Sequence, residues 1–300
     1  MDVLVTGSSG FIGCALLPAL TAAGHRPIRA LRQRSIPTGV DAIAWNPDAG
    51  TIDAASLEGL GAVVNLAGLG IGDQRWTPAR KREILDSRTK GTRLLATTLA
   101  GLADKPGVFV SGSAVGYYGG RGDEILTEES QPGTDFLADV CVQWEVAAQP
   151  IVATGIRLVT IRTGIVLGRD GGVLKRLLLP FRLGLGGRVA SGAQWMSWIS
   201  LHDQVRAILH AVRTDSLHGP VNLTAPNPVT NRELTATLGK AVHRPTVLPT
   251  PLTPLKLRYG SELVQHLLVE GQRVVPKALE SSGFPFEHAT LDAALRAILG

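Results

Sequence analysis

The feature that most constrains this chain lies at its start. Val3, Leu4 and Val5 are consecutive apolar residues, the pattern of a strand covered on both faces. Thr6-Gly7-Ser8-Ser9-Gly10-Phe11-Ile12-Gly13 follows directly. Apolar residues then recur at helical spacing through Ala15, Leu16, Ala19 and Leu20, and Gly24 supplies a stop. A strand, a glycine turn and a helix start build an anion site, because unpaired N–H groups and the helix dipole point at one place. In such a unit Gly7 permits the turn, Gly10 lets the backbone approach a phosphate, and Gly13 lets helix and strand pack closely. The G-x-x-G-x-x-G spacing is one residue longer than the G-x-G-x-x-G form. A dinucleotide is the expected ligand, with Gly7, Ser9, Gly10, Phe11, Ile12 and Gly13 as its contacts. Pro18 removes the helical bond to the carbonyl of Cys14 and predicts a bend.

The rest of the first half repeats this alternation. Strands are expected at 26–31, 62–66, 108–111 and 158–161, with helices at 77–99 and 137–148 between them. Strands alternating with helices give a Rossmann-type, doubly wound parallel sheet covered on both faces. The pattern loosens after residue 168. Gly171-Gly172, Gly184 and Gly186-Gly187 punctuate one stretch, and Pro226, Pro228, Pro245, Pro249, Pro251 and Pro254 another. The expected division is a dinucleotide-binding domain over 1–168 and a smaller α/β lobe on the substrate side over 169–300. That lobe is expected to be discontinuous, with some segments returning to the first domain. Two closing helices are expected near 276–281 and 291–298.

Composition excludes several function classes. The chain has 300 residues, 44% hydrophobic and 18% charged, which is globular rather than disordered. Its net charge of +5 is scattered, and the densest run, Arg80-Lys81-Arg82, ends at Glu83. That run reads as a solvated helix face, not a nucleic-acid patch. The apolar stretch 151–167 carries Arg157 and Arg162, so it lacks the uncharged run of about 18 residues that a membrane helix needs. Two distant cysteines, Cys14 and Cys141, form neither a metal pair nor a disulfide framework. With no leader before the first strand, a cytoplasmic protein without a metal is expected.

The order T-G-x-x-G-x-x-G with Asn65-Leu66-Ala67-Gly68 after a later strand resembles the short-chain dehydrogenase/reductase superfamily. Gly24-His25 at the end of the first helix resembles its extended branch of epimerases and dehydratases. Further matches run along nearly the whole chain. They are Arg75-Trp76-Thr77, Ser87-Arg88, Gly116-Tyr117-Tyr118-Gly119, Trp144-Glu145, the run Arg162 to Gly168, and Trp198-Ile199-Ser200. Together they resemble an atypical group, the epimerase-family proteins of short-chain dehydrogenase/reductase family 39U. The segment 250–300 resembles that group's small terminal domain. The resemblance implies that Asn65, Ala67 and Gly68 lie along the nicotinamide half of the cofactor. It also puts Ser113 at the superfamily's catalytic serine.

The end of the second strand selects the dinucleotide. A carboxylate there would accept from a ribose 2′-hydroxyl, whereas a basic residue would neutralise a 2′-phosphate. The sequence reads Ala30-Leu31-Arg32-Gln33-Arg34-Ser35, without a carboxylate. Arg32, helped by Arg34 or Ser35, is the expected clamp, and the cofactor is expected to be NADP(H).

The superfamily's usual catalytic pair is a tyrosine with a lysine four residues later on one helix face. The cation lowers the phenol's pKa so that it can exchange a proton. Here Tyr117 is followed by Arg121, Tyr118 by Gly122 and Tyr259 by Leu263. With Glu145 anchoring the match, Leu137 and Cys141 stand in the tyrosine and lysine places. The remaining catalytic candidates are Ser113, orienting a substrate oxygen, and Tyr117 or Tyr118, exchanging a proton.

Substrate candidates come from two segments. Gly68 to Trp76 is a glycine-rich loop beside the crevice at a strand end, offering Arg75 to an anion and Trp76 for stacking. Gly192 to Trp198 offers Trp195 and Trp198 as walls. The expected function is an NADP(H)-dependent oxidoreductase or epimerase acting on a small carbonyl, hydroxyl or sugar-nucleotide compound, as monomer or homodimer. The alternative is a silent NADP(H)-binding sensor or interaction protein.

Overall fold

The computed structural model describes residues 1–32, 36 and 39–300. In chain order its strands are β1 (Asp2–Thr6), β2 (Arg26–Leu31), β3 (Ala42–Asn46), β4 (Thr51–Ile52), β5 (Ala62–Asn65), β6 (Val108–Ala114), β7 (Ile125–Leu126), β8 (Arg157–Thr163), β9 (Ile165–Gly168), β10 (Trp195–Met196), β11 (Trp198–Ser200), β12 (Gly219–Leu223), β13 (Val229–Thr230) and β14 (Arg273–Val274). The α-helices are α1 (Phe11–Ala22), α2 (Pro78–Ala100), α3 (Phe136–Ala147), α4 (Gly172–Arg182), α5 (Leu201–Arg213), α6 (Asn231–Ala241), α7 (Leu252–Tyr259), α8 (Ser261–Val264), α9 (Lys277–Ser281) and α10 (Leu291–Leu299).

Eight strands form the central sheet in the order β12-β8-β6-β5-β1-β2-β3-β4. Every pairing within it is parallel except β3 with β4. The order reverses between β1 and β5. That is the switch point of a doubly wound sheet, where a crevice opens outside the strand ends.

Each face of the sheet has its own core. Val3, Val5, Val64, Val110 and Ile161 point to the side covered by α1 and α5, among Leu16, Leu20, Ile208 and Val212. Leu4, Val63 and Phe109 point the other way, against Leu95 and Leu99 of α2 and Ile151. The alternation along β1 is the period-2 geometry of a strand packed on both sides.

The helix ends carry local signals. Thr77 accepts from the Arg80 amide at the start of α2, with Pro78 at the first position, and Asp135 accepts from the Ala138 amide at the start of α3. Helix α1 continues through Pro18 to Ala22.

After β9 the chain builds a further apolar cluster from α4, β11, α6 and α10, around Leu174, Leu178, Phe181, Trp198, Leu234, Leu238 and Leu295. Between these pieces, α5 and β12 return to the sheet, with β12 pairing to β8. Among the described residues no helix is long and apolar enough to cross a membrane.

Candidate functional site

The glycine turn sits at the switch point. Gly7 has φ +62°, and a Cβ there would lie 2.7 Å from the Leu66 carbonyl oxygen. Gly13 is closed by contact instead: its Cβ would fall 2.3 Å from the Gly7 oxygen. The Gly10 amide donates to the Gly7 carbonyl at 2.9 Å and fixes the turn. The loop lines a cavity of about 410 Å³ whose walls include Gly7 to Gly10, Ala30 to Arg32, Trp45 and Leu66 to Leu69. Arg32 is exposed at the end of β2, with its guanidinium 5.8 Å from the Trp45 ring centre. Arg34 and Ser35 lie outside the described residues. The turn, Arg32, Ala67 and Gly68 therefore border one cleft.

The side chains of Phe11 and Ile12 face elsewhere. The Phe11 ring packs on a bare glycine surface, where a Cβ on Gly171 would come within 2.2 Å of it and one on Gly168 within 2.7 Å. Ile12 packs on the core beneath the sheet. The glycines after β9, which read as punctuation in the sequence, make the seat for Phe11.

Asn65 departs from its expected place along the cofactor. It is 1% exposed, its Oδ1 accepts from Thr6 Oγ1 at 2.6 Å, and its Nδ2 donates to Thr92 Oγ1 at 2.8 Å. Thr6 in turn accepts from the Leu66 and Ala67 amides, and Trp144 Nε1 donates to Thr92. Every polar atom of Asn65 is satisfied inside the protein. Its work is to bind β1, β5, α2 and α3 together under the cleft.

A second buried network carries the serine and tyrosine candidates. Arg162 of β8 is 3% exposed and meets Glu145 of α3 bidentately, Nε to Oε1 and Nη2 to Oε2, both at 2.9 Å. Its Nη1 donates to the Tyr118 hydroxyl at 3.0 Å and to the Glu128 carbonyl. Burial alone would weaken the arginine's hold on its proton, but the bonds to Glu145 reverse that and raise its pKa.

Ser113 donates its one hydroxyl proton to Glu145 at 2.7 Å, so it has no donor left for a substrate oxygen. Tyr118 is fully buried and donates to Asn222 Oδ1 at 2.7 Å, and desolvation pushes its pKa up to about 12. Both residues serve the network, which corrects the catalytic roles expected of them. Tyr117 differs. Its ring lies 3.4 Å from the Arg162 guanidinium carbon, it is only partly buried, and its hydroxyl has no hydrogen-bond partner among the described residues.

The face of α3 that should carry tyrosine and lysine is apolar. Leu137 and Cys141 are buried against Gly116. Desolvation pushes the Cys141 thiol up to about 12.

Of the substrate candidates, Trp76 and Trp198 are core residues. Trp76 donates to the Ile71 carbonyl and packs edge-on to Phe136. Trp198 is completely buried and donates to the Asn227 carbonyl. Arg75 is exposed beside Gly260, at the joint of α7 and α8. Trp195 bonds Asp123 at 2.7 Å and stacks on Arg273 at 4.2 Å.

The glycine-rich loop from Gly68 to Trp76 is pinned by donors to its carbonyls. Arg88 holds Leu69, Arg80 holds Gly70, and Arg176 holds Gly72.

A second hollow opens between the loop after β6 and the C-terminal segment. A space of about 300 Å³ is lined by Tyr118 to Arg121, Pro132 to Asp135, His266 and Glu270. Asp135, His266 and Glu270 bring ligand-type atoms within 4.8 Å of one another there. Those atoms already have protein partners. Glu270 accepts from Gln265 and pairs with His266 at 2.7 Å, and Asp135 caps α3. His266 and Glu270 stand in the C-terminal segment with no motif around them, so only folding brings them beside α3.

Known proteins are similar to this chain along its length. A family model described as the NAD dependent epimerase/dehydratase family matches residues 3–223, and a domain of unknown function (DUF1731) matches residues 250–298. Epimerase family protein Mb2239 of Mycobacterium bovis is 45% identical over 295 residues, covering 98% of this chain and 96% of its own length. The human epimerase family protein SDR39U1 is 36% identical over 100% of both chains. A crystal structure of that human protein (isoform 2) with NADPH superposes with a TM-score of 0.90 at 34% identity, over 100% of this chain and 99% of the other. A nucleoside-diphosphate sugar epimerase from Corynebacterium glutamicum gives 0.80 at 34% identity, with this chain spanning 58% of it.

Proposed function

This chain belongs to the NAD dependent epimerase/dehydratase family, and from that premise we propose that it binds NADP(H) in the cleft of the glycine turn. The reading adds that it exchanges hydride with a small carbonyl or hydroxyl compound. The observation that carries the binding is the cradle itself. Gly7 and Gly13 occupy positions where a Cβ would strike backbone, and the turn that this close packing fixes, Gly7 to Gly10, lines a cavity at the switch point. The NADPH in the crystal structure of the human relative supports the choice of cofactor.

The residues fit the group. The turn amides and the start of α1 would hold the pyrophosphate, and Arg32 would hold the 2′-phosphate, with no carboxylate on β2 to oppose it. When bound, the cofactor supplies a hydride donor or acceptor at its nicotinamide ring.

Tyr117 is the proton-exchanging group in this reading, because its hydroxyl alone among the three catalytic candidates is not committed inside the protein. Arg162 fixes the ring from below, and Glu145 fixes Arg162. Ser113 acts through Glu145 as a positioning residue. A sugar nucleotide is the substrate class suggested by the name of the Corynebacterium relative. The rival reading, binding without turnover, draws support from the apolar face of α3 at Leu137 and Cys141.

Two measurements decide. Titration with NADPH and NADH should give markedly tighter binding of NADPH, and equal affinities would sink the cofactor assignment. A screen of carbonyl compounds and sugar nucleotides, followed by NADPH absorbance, should then find a substrate. Silence across the screen beside tight binding would favour the rival.

A further inference from the structure

Folding brings together two stretches of the chain that carry no acid. Residues 171–202 and 234–261 contain eight Lys or Arg and no Asp or Glu, whereas acidic residues outnumber basic ones over the rest of the sequence. Arg244 Nε donates to the Arg182 carbonyl at 2.9 Å, the Thr250 amide donates to the Arg188 carbonyl at 2.8 Å, and Thr250 Oγ1 donates to the Gly187 carbonyl at 2.9 Å. Of the eight cations, Arg176 pairs with Asp73. Among the described residues the others pair with no carboxylate. Beside them an open hollow of about 650 Å³ is lined by Lys240, His243 and Arg244 and by no acidic side chain.

The same stretches hold the most exposed apolar side chains. Leu179, Leu183, Leu185, Val247, Leu248 and Leu257 are 63–85% exposed, and no other large apolar side chain among the described residues exceeds 59%. Helix α4 turns Leu174, Leu178 and Phe181 to its core, and its outer face carries Lys175, Leu179, Arg182 and Leu183 at helical spacing. Val247 and Leu248 stand on the loop that the Arg182 and Arg188 carbonyls hold beside the end of α4. Helix α7, with Leu257 between Lys256 and Arg258, buries none of its residues. A cluster of apolar side chains left in water marks a surface that another body covers.

Charge and residue type select that body. A second copy would set these cations against themselves, and like charges across an interface oppose association. A protein partner is favoured by aromatic anchors, and the exposed side chains here are aliphatic. We propose that this surface docks on an anionic lipid bilayer. The leucine and valine side chains enter the boundary between headgroups and acyl chains. The lysines and arginines meet lipid phosphates, with their long stems along the apolar layer. The attachment is peripheral, because among the described residues no helix is long and apolar enough to cross a membrane. None of these residues lines the cavity of the glycine turn, so the inference is independent of the cofactor reading.

Co-sedimentation of the full chain with lipid vesicles tests this. Phosphatidylcholine vesicles with about one third phosphatidylglycerol should bind it at least about tenfold more tightly than phosphatidylcholine alone, and added salt should weaken that binding. Leu183→Ser with Val247→Ser should loosen it by about tenfold through lost insertion, and Lys175→Gln with Lys256→Gln by a similar factor through lost charge. All four positions are exposed, so each variant should fold, which circular dichroism checks. Absence of binding to the anionic vesicles overturns the proposal and turns the assignment to an acidic protein. Binding that the folded serine variant leaves unchanged also overturns it, because the contact is then charge alone. So does a native chain that is dimeric in sedimentation equilibrium and becomes monomeric in the serine variant, which gives the surface to a second copy.

Discussion

Glu145→Gln is a sharp test of how the site is held. Arg162 makes four polar contacts, two of them to Glu145, and is 3% exposed. The substitution removes the carboxylate charge paired with it and turns one of its acceptors into an amide donor aimed at a guanidinium, which has donors only. The Tyr118 hydroxyl, the Glu128 carbonyl and the Tyr117 ring remain, so the cation is not stripped bare. Breaking one side of a buried ion pair costs about 3–5 kcal/mol, and the surviving contacts argue for the lower end, about 3 kcal/mol. The lost Ser113 bond contributes within that figure. At about 2 °C per kcal/mol for a chain of this size, the melting temperature should fall by roughly 6 °C.

Removing the cation as well should restore part of the loss. Arg162→Met fills much of the same volume without charge, so the double variant should lose about 3–4 kcal/mol where simple addition gives about 6. Urea unfolding without cofactor is the right assay, because NADPH would add its own stabilisation by mass action. A single-variant loss below about 1 kcal/mol, or strict additivity in the double variant, would refute the picture of Arg162 as a desolvated, charge-paired hub.

Four further outcomes are expected. Arg32→Ala should weaken NADPH at least tenfold and leave NADH nearly unchanged, and parallel losses in titration would remove the 2′-phosphate role. Gly13→Ala puts a methyl 2.3 Å from the Gly7 oxygen and should abolish NADPH binding at concentrations saturating for the native protein, read by calorimetry. Tyr117→Phe should cut turnover of any substrate found by about 10²-fold while leaving the NADPH Kd in place, and a shift in Kd alone would assign the ring to packing. At pH 8 a thiol reagent should label one cysteine in the native chain, the exposed Cys14, and two after denaturation. The raised pKa of Cys141 means its neutral form persists through that pH, so fast labelling of both would contradict the burial.

The sheet was readable where apolar runs were long or bounded by turn residues, as at Val3–Val5 and in 108–111. Strands β3 and β12 were not seen. The first reads Ala-Ile-Ala-Trp-Asn and the second opens on Gly219-Pro220, so neither offers a clean run, and β12 pairs with β8, which lies far back in the sequence. The phosphate loop was legible because its whole geometry is local. Asn65 was misassigned because a side chain's partners are not local: Thr6 and Thr92 consume it from 59 and 27 residues away. Likewise Gly171 and Gly172 read as turn punctuation until Phe11 lay on them. Trp76 and Trp198 are aromatic in the right segments, but burial, which spacing does not encode, makes them core.

The arginines carry the same lesson into function. Residue type selects a cation, and only its partners decide what the cation does. Arg157 caps the carbonyls of Ala211, Val212 and Leu217 and anchors α5. Arg162 is neutralised by Glu145 and organises Tyr117, Tyr118 and Ser113. Arg88 spends its donors on the carbonyls of Ile84 and Leu69 and on Ser87 Oγ, so it ties the loop after β5 to α2. Three arginines thus do three different jobs, and the acceptors that each one meets, not its charge, tell them apart.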